Sequence, residues 1–242
     1  MTEHTDQRRT DDPHDRFPAG FFTRADESID TRFYEVERLV THIDAGAVAA
    51  VGTLYRHLGL TGSVLDLMSS WVSHFLDRPD ELVVLGMNER ELAANAMAHA
   101  RVVHDLNDDP ALPFPDDRFD AAVCCVSVDY LVRPIDVLRD AARVVKPGGV
   151  VVCTFSNRCF PTKAIQGWLQ IDDDMRTAVV ADYFRLTGGF DTPSVALCTP
   201  PKSRTDPLWA VWARVSELAS GEVGSLDHGD TVADGDDHAP HA

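Results

Sequence analysis

Long apolar runs are missing from this sequence of 242 residues. No stretch of 18 or more uninterrupted apolar residues occurs, which argues against a transmembrane helix and against a membrane as partner. The first sixteen residues are polar and acidic, so we expect no secretory signal there. Since 44% of the residues are hydrophobic, the chain can still bury a full core, and its length suits one domain with tails.

Lysine is scarce, and its three copies are Lys146, Lys163 and Lys202. Arginine supplies nearly all of the positive charge, and the formal net charge is −17 at pH 7. We favour an acidic, halophilic-type surface adapted to high intracellular salt, where screening tolerates dense charge; a basic partner is the alternative. In either case no net positive field exists to neutralise phosphates, so we expect no nucleic-acid partner.

Cysteine pairs of the metal-binding or redox type are missing as well. None of the five cysteines belongs to a CxxC pattern, and several lie in apolar runs, where a free thiol behaves as a small hydrophobe. The odd count and these contexts predict a reduced, cytoplasmic protein without a metal site. The five are Cys124, Cys125, Cys153, Cys159 and Cys198.

Both ends of the chain are polar and carry few apolar residues. We predict disordered acidic tails over residues 1–16 and 217–242, because such segments cannot bury a core. Residues 17–58 are predicted as an N-terminal helical segment, and residues 59–216 as one α/β domain. The sequence does not predict an oligomeric state.

Five short apolar runs are predicted to form parallel strands, because helical patterns separate most of them and strands covered on both faces are continuously apolar. Two further strands, 194–198 and 208–214, lie too close together for a helical crossover and should pair antiparallel. The predicted fold is α/β: a doubly wound, Rossmann-like, mostly parallel seven-stranded sheet with an antiparallel C-terminal strand pair. The five parallel strands are 63–68, 82–87, 101–105, 121–126 and 149–155.

Helices are predicted from apolar spacing and from residues that begin or end a helix. Asn88 is the expected N-cap of the second helix, and Pro134 lies in the first turn of the third. The predicted helices cover residues 30–57, with a break near 44–46, then 89–100, 134–145 and 172–186.

Two motifs flank the predicted fourth strand. Residues 112–120 read LPFPDDRFD, and residues 143–149 read RVVKPGG. In this order both resemble motifs of class I S-adenosylmethionine-dependent methyltransferases of the type 11 kind, and the similarity covers residues 55–214. The resemblance implies S-adenosyl-L-methionine as cofactor, a small molecule as methyl acceptor, and an N-terminal helical lid over the cofactor pocket.

The turn after the first strand departs from the pattern D-x-G-x-G-x-G that is usual in this family. It keeps Asp66 but continues as Met68-Ser69-Ser70-Trp71-Val72-Ser73-His74, without glycine, a residue suited to close ligand approach. The serines could cap a following helix and bind a carboxylate through hydroxyl and backbone N–H groups. The turn therefore either binds the cofactor in a different way or has lost the ability to bind it. The resemblance assigns cofactor binding here to Asp66, Met68, Ser69, Ser70 and Trp71.

Two later strand ends carry the remaining cofactor positions that the resemblance implies. Asn88 stands where the family places an acid that binds the ribose hydroxyls, and its amide can still bond a hydroxyl. Asp105, followed by Leu106, matches the position that meets the adenine amino group. Ligands of such sheets bind at the carboxyl ends of the strands.

Three residues are candidates for catalysis. Asp129 and Tyr130 follow the fourth strand, where the family places residues beside the methyl group; the alternatives are an N-cap and a core aromatic. His74 in the glycine-free turn is a candidate base for a substrate whose proton must leave. Methyl transfer itself needs mainly positioning, because the sulfonium is already activated.

Four residues are candidates for substrate binding. Asn157, Arg158 and Lys163 follow the fifth strand, where the two cations could hold an anionic group; a solvated loop with an ion pair is the alternative. His42 in the N-terminal segment either borders the pocket or has a structural role.

The sequence as a whole predicts an S-adenosylmethionine-dependent methyltransferase that acts on a small molecule. One alternative is a non-catalytic or repurposed protein of the same fold that binds this cofactor or a related nucleotide. Another is a different reaction with the same cofactor. The glycine-free turn is the feature that distinguishes these alternatives.

Overall fold

One mixed sheet of seven strands, in the order β3-β2-β1-β4-β5-β7-β6, organises the chain. The computed structural model describes residues 12–217. Strands β1 to β5 are parallel, and β7 pairs antiparallel with both β5 and β6, which confirms the predicted fold class. The strands are β1 Ser63–Leu67, β2 Glu81–Gly86, β3 Ala100–Val103, β4 Phe119–Cys125, β5 Val145–Ser156, β6 Ser194–Leu197 and β7 Leu208–Arg214.

Six α-helices accompany the sheet within residues 12–217, and several begin at the residues that the sequence indicates. Asn88 caps α3, and Asp172 caps α6 by accepting from Met175 N at 2.9 Å. Gly188 ends α6 in the left-handed region, with φ of 73°. The helices are α1 Asp30–Tyr34, α2 Ala45–His57, α3 Glu89–Ala94, α4 Pro134–Val144, α5 Gln166–Leu169 and α6 Asp173–Thr187.

Two predicted helices are shorter in the structure. The helix expected over residues 30–57, with a break near 44–46, is two helices. The interruption is longer than predicted, because residues 35–44 are not helical and Asp44 caps α2 through Ala47 N. The helix expected over residues 89–100 ends at Ala94. Asn95 is extended there, and its side-chain amide donates to a neighbouring loop.

Both faces of the sheet are buried, as the continuous apolar runs predicted. Side chains alternate along each strand, so Leu65 lies in one core and Val64 in the other. Trp168 and Tyr183 belong to the first core, which α4 and α6 cover. Tyr55 of α2 belongs to the second core.

No helix joins β1 to β2, although parallel strands usually require one. Residues 68–80 cross between these strands as an irregular segment. Helix α2 packs against this segment: the rings of Tyr55 and Phe75 are 4.7 Å apart, and a Cβ on Gly52 would clash with the His74 carbonyl oxygen. The expectation that the serines of the turn cap a following helix is therefore wrong.

The predicted tails fall largely outside the described residues, which exclude 1–11 and 218–242. Residues Pro13–Arg16 are described and form a 3-10 turn, with the His14 ring 5.1 Å from that of Phe22. Within residues 12–217, no helix combines the length and the apolar character that crossing a membrane requires.

Candidate functional site

A cleft of about 310 Å³ opens at the carboxyl ends of the central strands. It lies at the end of β1, the strand that pairs with β2 on one side and with β4 on the other. The strand order reverses there, so the cleft occupies the topological switch point of the sheet. The first turn (residues 68–74) and the loops after β2, β3, β4 and β5 form its walls. Residues 34–42, which we call the strap, contribute a further wall through several of their members.

Asp66, the last polar residue of β1, lies at the base of the cleft and is only 4% exposed. One of its oxygens, Oδ2, accepts from Ser69 Oγ at 2.8 Å and from Ser73 Oγ at 2.6 Å. Burial raises the pKa of the Asp66 carboxyl to about 6, and the two hydroxyl donors act in the opposite direction. The Asp66 carboxyl therefore keeps its proton up to a pH of about 6.

The first turn keeps its shape without glycine. Met68 adopts the left-handed region, with φ of 52°, and Ser69 N donates to Leu85 O at 2.8 Å. A Cβ on Gly86 would collide with the Ser69 carbonyl oxygen, so the close approach depends on a glycine in β2 and not in the turn. Asn95 Nδ2 completes the attachment by donating to Ser70 O at 3.1 Å.

The backbone of this turn offers hydrogen-bond donors beside the cleft. Within residues 12–217, no acceptor pairs with the backbone N–H groups of Ser70, Trp71 and Val72. All three residues border the cleft. Successive N–H groups of this kind can hold a carboxylate or another anion.

Asn88 lies at the end of β2 and also borders the cleft. Its Oδ1 accepts from Arg90 N at 3.0 Å and from Glu91 N at 3.1 Å, which confirms the predicted N-cap. Its Nδ2 donates to the Tyr34 carbonyl oxygen in the strap at 2.8 Å. The amide is therefore engaged on both sides, and its contact with a ribose stays a prediction.

Asp105 and Leu106 follow β3 and reach the same cleft. Asp105 Oδ1 accepts from Asn107 N at 2.9 Å, an arrangement that fixes the carboxylate. Leu106 is 3% exposed and belongs to the first core. The pair offers a carboxylate, which can accept a hydrogen bond from an amino group, next to an apolar side chain, which can pack against a flat ring.

Two histidines and a tryptophan line the cleft as predicted candidates. Trp71 Nε1 donates to Val40 O at 3.1 Å, and the His42 ring is 5.1 Å from that of Phe160. Burial lowers the pKa of His42, with a smaller opposing effect of the Glu91 charge, and burial lowers the pKa of His74. The lowered pKa favours the neutral form of both imidazoles, which is the form that can accept a proton.

The structure separates the two candidates that follow β4. Tyr130 borders the cleft, and its hydroxyl accepts from Phe160 N at 2.9 Å. Asp129 is 2% exposed and is not among the residues that line the cleft. Burial raises the pKa of Asp129 to about 7.

The candidates after β5 are separated in the same way. Arg158 borders the cleft, and its Nε donates to Asp206 Oδ1 at 2.9 Å, whereas Asn157 is exposed outside the cleft. Lys163 is fully buried, with Nζ 3.0 Å from Asp30 Oδ1 and 3.2 Å from Asp26 Oδ2. Lys163 does not reach the cleft, because a buried ammonium requires carboxylate partners.

Sequence reasoning missed Tyr34, Arg38, Glu91 and Phe160, which all line the cleft. Glu91 is 9% exposed and accepts twice, from Ser70 Oγ and from Arg38 N, both at 2.6 Å. Its position three residues after Asn88 resembles a capping box, which could have drawn notice to it. That pattern would have assigned the carboxylate to its own helix, whereas it bonds two other segments.

The sequence model of a methyltransferase domain family matches residues 69–153 of this chain. The chain is 30% identical over 117 residues to the ubiquinone/menaquinone biosynthesis C-methyltransferase UbiE of Pseudomonas fluorescens (strain Pf0-1), covering 46% of this chain and 44% of that protein. It is 48% identical over 42 residues to the demethylmenaquinone methyltransferase of Lysinibacillus sphaericus (strain C3-41), covering 17% of this chain and 18% of that one. The chain thus spans less than half the length of these curated relatives.

Two solved structures share the fold. A methyltransferase dependent on S-adenosylmethionine from Aquifex aeolicus matches with a TM-score of 0.51 at 12% identity, over 77% of this chain and 97% of that one. A chain of the complex between the Trm112 methyltransferase activator and a methyltransferase of Haloferax volcanii matches with a TM-score of 0.50 at 16% identity, over 69% and 90%. The resemblance to class I methyltransferases is confirmed, by the family match in sequence and by these structures in fold.

Proposed function

We propose that this protein is an S-adenosylmethionine-dependent methyltransferase that acts on a small molecule. The observation that carries the proposal is the convergence of the first turn, Asn88 and Asp105 on one cleft at the switch point of the sheet. These are the three positions at which the family binds the methionine, ribose and adenine portions. The methyltransferase family match over residues 69–153 supports the same cofactor.

The residues of the cleft fit this cofactor by their chemistry. The N–H groups of Ser70, Trp71 and Val72 suit its carboxylate, and the Asp105 carboxylate suits the adenine amino group beside the apolar Leu106. When bound, S-adenosylmethionine supplies a methyl group that its sulfonium has already activated. The chain then has to position the acceptor, exclude water and take up a proton where the acceptor loses one.

The acceptor side of the cleft is largely aromatic. Tyr130, Phe160 and His42 form one wall, with the Tyr130 and Phe160 rings 6.0 Å apart. Aromatic walls favour a planar acceptor. The neutral imidazole of His42 is the proposed proton acceptor, with His74 as a second basic group in the cleft. The names of the curated relatives refer to quinone biosynthesis, which agrees with a planar substrate.

A repurposed, non-catalytic protein is the second candidate. Its first turn has none of the glycines that are usual in the family, and no helix follows that turn. Titration calorimetry with S-adenosylhomocysteine, combined with transfer of labelled methyl groups to planar phenols and quinols, separates the candidates. Binding in the micromolar range together with methyl transfer supports the enzyme. Binding without transfer to any acceptor favours the repurposed protein. The absence of any binding or thermal shift in high salt would contradict the enzyme and leave a repurposed protein that binds a related nucleotide.

The predicted setting of the protein belongs to the same proposal. A cytoplasmic location, a salt-adapted acidic surface and a small-molecule partner agree with a net charge of −17 and with the size of the cleft. Fractionation of cells that express the full chain would test the location directly.

A further inference from the structure

The strap borders the cleft and is held there through its own backbone. Three of its groups bond side chains of the cofactor side: the Tyr34 carbonyl accepts from Asn88 Nδ2, the Arg38 N–H donates to Glu91 Oε1, and the Val40 carbonyl accepts from Trp71 Nε1. The distances are 2.8, 2.6 and 3.1 Å in that order. Glu91 also accepts from Ser70 Oγ, so the strap and the first turn share one carboxylate.

Two of these four side chains stand at positions where the sequence departs from the family pattern: Ser70 replaces one of the three glycines of the turn, and Asn88 replaces the usual acid. Trp71 lies at a position that the pattern leaves open. A glycine at position 70 would offer no side-chain donor to Glu91. An aspartate at position 88 would place a carboxylate oxygen against the Tyr34 carbonyl oxygen, and two acceptors cannot share a hydrogen bond without a proton.

The strap is fixed at both ends and exposed between them. Before it, Asp30 pairs with Arg24 at 2.7 Å and with Lys163 at 3.0 Å, all three largely buried. After it, the Asp44 N–H donates to Asp206 Oδ2 at 3.1 Å. Exposed apolar side chains lie between these anchors, at Val36, Leu39 and Val40. The middle of the strap therefore depends on its bonds to the cofactor side more than on burial.

The strap also carries part of the acceptor wall. His42 packs edge-on against Phe160, and the Arg38 guanidinium lies 5.5 Å from the centre of the same ring. These strap side chains line the same cleft as the first turn. Displacement of the strap would open the acceptor side without changing the sheet.

We propose that Asn88, Glu91 and Trp71 are positioning residues that bind the strap to the first turn and thereby couple cofactor binding to assembly of the acceptor pocket. This inference rests on the proposed function and deepens it. The departures at Ser70 and Asn88 are, on this account, replacements that use the cofactor-binding positions to hold a segment of the chain itself. A cofactor bonded to the N–H groups of the first turn stabilises that turn further, and the turn holds the strap that carries His42.

Hydrogen–deuterium exchange of the strap amides in the full chain tests the proposal, without and with S-adenosylhomocysteine. Asn88→Asp keeps the helix N-cap, since aspartate caps as well as asparagine. It removes only the Nδ2 donor, which bonds Tyr34 O at 2.8 Å and Glu35 O at 3.4 Å, both in the strap. We expect exchange over residues 35–42 to rise about tenfold, and the protection that the ligand gives the strap to be lost. Trp71→Phe, which removes one donor and keeps an aromatic ring, should act in the same direction.

Matched controls are available on the surface and on the far strand. Gln170→Glu makes the same amide-to-acid change at an exposed site, and Trp212→Phe makes the same ring change in β7; both should leave strap exchange unchanged. Unchanged strap exchange in Asn88→Asp, with tighter binding of S-adenosylhomocysteine, would overturn the proposal and make Asn88 a plain ribose ligand. If the wild-type protein does not bind S-adenosylhomocysteine, the proposed function is wrong. The hydrogen–deuterium exchange measured without ligand still decides whether these side chains hold the strap.

Discussion

Ser73 Oγ lies 2.6 Å from Asp66 Oδ2, which joins the far end of the first turn to the strand that begins it. The same hydroxyl accepts from Asn95 Nδ2 at 2.9 Å, and all three residues are buried. In the absence of a helix after β1, these side chains give the turn a fixed shape. Each partner is satisfied by another, as buried polar groups require.

The buried Asp66 carboxyl should make the stability of the protein depend on pH. Its pKa is about 6 in the folded state against an ordinary value of 3.8, so the folded state binds the proton more tightly than the unfolded chain. Stability should therefore fall as pH rises from about 4 to about 6. Relative to Asp66→Asn, the wild type should lose roughly 2–3 kcal/mol of unfolding free energy over this window.

Urea unfolding of both proteins between pH 4 and pH 7 measures this difference. Asp108→Asn, an exposed change of the same kind, should follow the wild type at every pH. Because burial also raises the pKa of Asp129, each single curve contains more than one group, and only the difference between wild type and Asp66→Asn isolates Asp66. A constant difference across the window would contradict the assignment.

Removal of the Asp105 carboxylate should weaken cofactor binding without unfolding the protein. A hydrogen bond to a charged group contributes about 1.5–3 kcal/mol, so Asp105→Ala should raise the Kd for S-adenosylhomocysteine about tenfold to a hundredfold. Calorimetry in high salt gives this value. The neighbouring exposed residue provides the control, and Asp108→Ala should bind as the wild type does; equal affinities of all three proteins would remove Asp105 from the cofactor site.

Lys163 should act on stability and not on catalysis. Its ammonium pairs with the buried Asp30 and with the partly exposed Asp26. Breaking a buried pair such as Lys163–Asp30 by removing one partner costs about 3–5 kcal/mol. Lys163→Met should therefore lower the unfolding free energy by that amount. The exposed Lys202→Met should change it little. A stable Lys163→Met protein with a raised KM for an anionic acceptor would show instead that Lys163 contacts substrate.

Much of the fold could be predicted because its signals are local. The continuous apolar runs give β1 and β2 to within one residue and locate β4 and β5, since strands buried on both faces need apolar side chains throughout. The structure begins β4 two residues and β5 four residues before the predicted starts. The short gap before β7 gives its antiparallel pairing. Helix ends that depend on one cap, such as Asn88 and Gly188, are equally local.

The candidate site was predicted less completely. The sequence brings Asp66, Asn88 and Asp105 to one edge of the sheet, because the carboxyl ends of parallel strands lie together. It could not exclude Lys163 or Asp129 from the cleft, because a polar residue after a strand points inward or outward according to its tertiary partners. Glu91 was missed because its partners lie in two other segments.

The sequence by itself determined the sheet, its order of elements and the strand ends where a ligand binds, because backbone periodicity and caps act between near neighbours. The tertiary structure alone decided how a turn without glycine is held and what lies over it. Asn88 is 54 residues from Tyr34, and Glu91 is 53 residues from the Arg38 amide it accepts from. Hydrogen bonds between such distant segments depend on how the sheet and α3 place them in space, and no local pattern encodes that placement.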